Sequence, residues 1–139
     1  MSKVSIVRFG EFSLSQDKQN VLVDFVRYCA RALELGEDCR VAFVFDKNSP
    51  KKMSSTGLCE FSSRTAFIYS KQRSLIDLMR SIAHELVHMK QHELQTIDFN
   101  KVMVHFASPW EDEANLIGAR LVNAYADVIG YDNLVEGKR

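Results

Sequence analysis

Apolar positions change their period along the chain, and each change marks a predicted element. Val4 to Phe9 is a short β-type run. Ser13-Leu14-Ser15-Gln16 fits a capping box, with Ser13 as N-cap and Gln16 reaching back to it. Behind it Val21, Leu22, Phe25, Val26, Cys29 and Leu33 recur at helical spacing, and Gly36 supplies a C-terminal stop. Arg40 to Phe45 is short and rich in β-branched and aromatic residues, which favours a buried strand. After a turn at Asp46 to Pro50, two β-like runs, Thr56 to Phe61 and Thr65 to Ser70, flank Ser62-Ser63-Arg64 at an interval suited to a hairpin. A long helical pattern then covers Gln72 to Leu94, with Leu75, Met79, Ile82, Leu86 and Met89 on one apolar stripe.

Gln95 to Ala107 is less regular and leads into Ser108-Pro109-Trp110-Glu111. That segment reads as a helix start, with Ser108 as N-cap, Pro109 in the first position and Glu111 closing a capping box. The helix it opens carries Leu116, Ile117, Leu121, Ala124, Val128 and Ile129 and stops near Gly130. The order is strand, helix, strands, helix, helix. The expected class is α+β, a small mixed sheet packed on an amphipathic helix.

Composition narrows the functions open to such a fold. At 139 residues, with 46% hydrophobic side chains and neither repeats nor a Pro/Gly-rich linker, residues 1–139 are expected to form a single domain. Lys+Arg and Asp+Glu number 18 each and cancel, so nucleic acid is not expected as the main partner. Cys29, Cys39 and Cys59 are odd in number and form no CxxC pair, which suits core hydrophobes in a reduced protein better than a disulfide framework. The N-terminus lacks the apolar run of a signal peptide, and no stretch approaches membrane-spanning length. A cytoplasmic location without membrane contact is the expectation. Lys51, Lys52, Lys71 and Arg73 read as a solvated face, and Trp110 as a packing anchor.

Chemistry concentrates in His84-Glu85-Leu86-Val87-His88, an HExxH pattern inside the second helix. Residues four apart on a helix lie one above the other, so both imidazoles can share one metal. Neutral imidazole is a good zinc ligand, and Glu85, about 100° further round the helix, can reach a metal-bound water without binding the ion. A plain surface helix with two histidines is the bland alternative, and the strongly amphipathic context weighs against it. A catalytic zinc needs a third protein ligand. His92, His105, Glu111, Asp112 and Glu113 are the candidates. His92 lies too far along the axis to converge with the other two imidazoles, and Glu111 is assigned to the capping box. Glu113 is favoured, because Ala114, Asn115 and Gly118 near it leave room for close helix approach. Asp112 and His105 stay open.

The motif, followed by Glu113-Ala114-Asn115 and a helix with Ala119 and Leu121, resembles the ImmA/IrrE-like group of small gluzincin-type metallopeptidases over roughly residues 56 to 125. That resemblance implies a minimal zincin-like domain with His84, His88 and Glu113 as zinc ligands and Glu85 as general base. His88-Met89-Lys90-Gln91 is also similar to SprT-like zincins, whose third ligand is a histidine, and His105 would then fill that place. The function expected is a zinc-dependent peptidase acting on a peptide or protein substrate. His105 or Tyr69 would steady the developing oxyanion, and Ala66 to Ser70 would be a cleft-edge strand receiving substrate backbone. The alternative is a zinc-binding interaction or assembly protein with little hydrolytic activity.

Overall fold

A computed structural model describes residues 5–8, 14–36, 39–44, 57–94 and 109–130. Their elements are β1 (Ser5–Arg8), α1 (Gln16–Ala32), β2 (Cys39–Val44), β3 (Gly57–Glu60), β4 (Thr65–Tyr69), α2 (Leu75–Glu93) and α3 (Pro109–Ile129). The class is α+β, and among the described residues the strands form one mixed sheet of order β1-β2-β4-β3. β1, β2 and β4 run parallel, Val41 opposite both Val7 and Ala66, while β3 closes the sheet antiparallel to β4. The expected hairpin is present. Arg64 turns it with φ 51°, and its amide N–H donates back to the Phe61 carbonyl at 3.2 Å.

β4 therefore lies inside the sheet, paired on both sides, and is not the cleft edge expected of Ala66 to Ser70. Short-range pattern cannot distinguish a central strand from an edge strand, because both read as apolar β-type runs. Two helix starts also differ from expectation. Ser15, not Ser13, caps α1 by accepting from the Lys18 amide, and Gln16 instead bonds Asn20 one turn on. Gln72, expected to begin α2, has φ 57°, so the helix starts after Ser74, whose hydroxyl accepts from the Asp77 amide at 3.1 Å. The cap expected at Ser108 lies outside the described residues.

The core sits where α2 crosses the sheet and α1 and α3 flank it. Leu78, Met79, Ile82 and Leu86 of α2 meet Val41, Ala66 and Ile68 of the sheet and Leu22, Phe25 and Val26 of α1 in one buried cluster. Cys29 and Cys39 belong to that cluster as thiols, and burial raises the Cys29 pKa. α3 buries a face of Ala114, Gly118, Leu121, Val122, Tyr125 and Ala126, whereas Leu116 and Val128 of the expected stripe are 54% and 70% exposed. A Cβ on Gly118 would stand 3.4 Å from the His84 amide nitrogen, so this glycine marks the close crossing of the two helices.

Polar ties hold the frame. Tyr125 donates to Asp24 at 2.7 Å and packs edge-on against Phe25, joining α3 to α1. Glu93 accepts from the Gly36 amide and pairs with Arg64, fastening the end of α1 and the hairpin turn to the end of α2. Arg73, expected on a solvated face, is half-buried and donates to the Tyr69 and Asp77 carbonyls and to Ser81. No helix among the described residues is long and apolar enough to cross a membrane.

Candidate metal centre

The helical spacing of His84 and His88 does what the sequence requires of it. Both side chains leave α2 on the face toward α3, their ring centroids are 4.7 Å apart, and their Nε2 atoms approach to 3.2 Å. The third group at this point is Glu111. One carboxylate oxygen lies 3.0 Å from His84 Nε2 and the other 3.1 Å from His88 Nε2. Zinc–nitrogen and zinc–oxygen bonds of about 2.0–2.1 Å put neighbouring tetrahedral ligands about 3.3 Å apart, so the three contacts fit one small ion to within a few tenths of an ångström. Among the described residues, no other group of three or more His, Cys, Asp or Glu side chains converges in this way.

Proton accounting reinforces the fit. Gln91, one turn beyond His88 and 2% exposed, places its amide oxygen 2.7 Å from His88 Nδ1. Its amide nitrogen faces two acceptors, the Trp110 carbonyl at 3.1 Å and Glu113 Oε1 at 2.7 Å, which settles which end of the amide is which. In the neutral ring His88 Nδ1 then carries the hydrogen, and Nε2 presents a lone pair to the Glu111 carboxylate. Two acceptors at 3.1 Å repel unless a positive centre stands beside them. A proton on His84 would serve, but burial and the neighbouring His88 lower its pKa, against the opposing pull of Glu111 and a hydrogen bond with Asn115. A hydrogen on a neutral His84 Nε2, 3.2 Å from His88 Nε2 and 3.0 Å from Glu111, meets part of that demand, and a cation among the three groups would meet the whole of it.

Glu85 is held on the sheet side of α2 and is 8% exposed. Its carboxylate lies so close to β3 that a Cβ on Gly57 would fall 2.7 Å from Oε2. Burial, with the Glu111 charge second, pushes its pKa up to about 8.

The structure thus brings together His84, His88 and Glu111, with Glu85 close enough to feel the Glu111 charge. Glu113, expected as the third ligand, is exposed and bound to Gln91 instead. Both acids reach α2, but at different places: Glu111 meets the two imidazoles, whereas Glu113 meets Gln91, beyond His88 along α2. Asp112 is exposed, and His105 lies outside the described residues. Tyr69 ends β4, where its carbonyl accepts from Arg73. His92 is exposed and stacks on Phe61. Sequence reasoning missed Gln91, although its position three residues after His88 and seven after His84 puts it on their helix face. It also missed Gly57, whose missing side chain makes room for Glu85. Compared with known proteins, the chain matches no family model, no curated protein and no solved structure.

Proposed function

We propose that the chain is a zinc-dependent peptidase of zincin-like build, with His84, His88 and Glu111 holding one ion and Glu85 moving the proton. The observation that carries this reading is the convergence of His84 Nε2, His88 Nε2 and the Glu111 carboxylate, whose oxygens lie 3.0 and 3.1 Å from the two nitrogens, with His88 Nδ1 turned away to Gln91. Such a set of acceptors is arranged for a cation. Histidine, histidine and carboxylate is also a donor set used by hydrolytic zinc sites. Zinc bound there would polarise a substrate carbonyl and lower the pKa of water. His84 and Glu111 keep 23% and 25% of their side-chain surface exposed, so these two groups are not sealed in the core.

Glu85 supplies the acid–base chemistry. A cation on Glu111 would offset the charge that helps hold a proton on Glu85, leaving this carboxylate able to accept a proton and return it during a cycle. Water gives its proton to Glu85 as its oxygen bonds to the peptide carbonyl carbon. The C–N bond then breaks as that proton passes from Glu85 to the leaving amine. The buried position of Glu85 against Gly57 fixes its direction of approach.

Protein purified without an affinity tag and supplied with zinc should carry close to one ion per chain by elemental analysis. Glu85→Gln should keep that zinc and lose cleavage of a broad fluorogenic peptide library. Absence of bound zinc would overturn the metal assignment, and undiminished cleavage by Glu85→Gln would overturn the mechanism. Stoichiometric zinc in a chain that cleaves nothing would favour a zinc-binding interaction module.

A further inference from the structure

We infer that Gln91 and Glu113 are positioning residues that fix the tautomer of His88. Four observations carry the assignment. The Trp110 carbonyl can only accept, and the Glu113 carboxylate accepts as well, so the Gln91 amide nitrogen must face α3. The amide oxygen is thereby turned to His88 Nδ1 at 2.7 Å. Nδ1 must donate to it, and a neutral ring has only one N–H to give. Nε2 is consequently left bare, on the side where His84 Nε2 and Glu111 Oε2 lie at 3.2 and 3.1 Å.

The relay runs from the first turns of α3 to an imidazole of α2 through a side chain that is 2% exposed. Rotating the Gln91 amide by 180° would set NH2 against Nδ1 and turn its oxygen toward two acceptors, losing three hydrogen bonds at once. His88 would then carry its hydrogen on Nε2, in the middle of the trio, where a cation would first have to displace it. The same helix therefore presents one acidic residue to the trio, Glu111, and another, Glu113, to the amide that orients a member of it. This gives Glu113 a role without contact to the ion. The value of the relay for zinc binding rests on the peptidase reading above; the tautomer itself does not.

The test reads the tautomer directly in metal-free protein. Long-range 1H–15N correlation spectra of 15N-histidine-labelled protein, recorded at neutral to mildly alkaline pH, should show His88 in the Nδ1–H form. Gln91→Leu should shift it toward the Nε2–H form or a mixture. Glu113→Ala, at an exposed position that leaves the core intact, should shift it part of the way, and serves if Gln91→Leu does not fold. Zinc affinity should fall in parallel by about 10–100-fold in Gln91→Leu. An Nε2–H tautomer in the wild type, or a spectrum unmoved by both Gln91→Leu and Glu113→Ala, would overturn the relay. Failure of the protein to bind zinc, with the tautomers as expected, would overturn the peptidase reading and leave the relay standing.

Discussion

Burial and the Glu111 charge keep a proton on Glu85 until about pH 8, whereas a solvated glutamate releases it near 4.5. The folded, metal-free chain therefore binds an extra proton between those values. Its stability falls as pH rises through that window, and the loss is complete above about pH 8. His84 acts in the opposite sense, because its pKa is lowered on folding and its contribution is lost as pH falls below 6.5. Comparing wild type with Glu85→Gln at each pH isolates the glutamate. In urea titrations of the metal-free proteins, the wild type should lose ground to Glu85→Gln with rising pH, at most about 1.4 kcal/mol per pH unit. A difference that stays flat from pH 5 to pH 8 would show that Glu85 is ionised throughout. The two acids of α3 separate in the same way. Glu111→Gln should weaken zinc binding by more than the roughly 10–100-fold typical of an outer partner, and Glu113→Ala by no more than that. Of these side chains, His84, Glu85 and His88 are legible in the sequence, because the helix itself dictates their spacing. Glu111 was not. Choosing between two carboxylates on one helix requires the azimuth at which that helix packs.

At the scale of elements, two glycines set the clearances on which the site depends. Gly57→Ala on β3 would bring a methyl carbon to 2.7 Å from Glu85 Oε2 and 3.0 Å from its Cγ. The carboxylate must move away, so the variant should fold and bind zinc yet lose most peptide cleavage, a separation read by elemental analysis beside the peptide assay. Gly118 behaves differently. An alanine there meets its neighbours at 3.4 Å or more, and the gain in helix propensity of about 1 kcal/mol offsets the tight fit, so Gly118→Ala should be neutral or mildly stabilising in thermal melts. Gly118→Leu would instead push α3 off α2 at a cost of about 1–3 kcal/mol and carry Glu111 away from the imidazoles. The elements themselves were well legible: seven segments, the hairpin and three helices among them, follow from periodicity and turn chemistry. The rank of β4 within the sheet and the buried face of α3 were not. Leu116 and Val128 look like core residues in sequence, but α3 buries the face of Ala114, Gly118, Leu121, Val122 and Tyr125, which leaves those two outside.

For the whole molecule, the trio joins α2 to α3 beside their close crossing at Gly118. An ion that binds the folded chain and not the unfolded one stabilises by mass action, about 2.7 kcal/mol at a free concentration one hundred times the dissociation constant. Chelation should lower the melting temperature of the wild type, and this difference should vanish in Glu111→Gln; an equal chelator effect in both proteins would place the ion elsewhere. The amino-acid sequence alone determined the α+β class, the helix carrying two imidazoles one turn apart, and the glutamate between them, because these follow from local periodicity. Tertiary structure alone decided which acid of α3 completes the trio, which amide orients His88, and which strand stands beside Glu85. Those depend on the rotation and approach of elements distant in sequence, and local spacing carries no information about either.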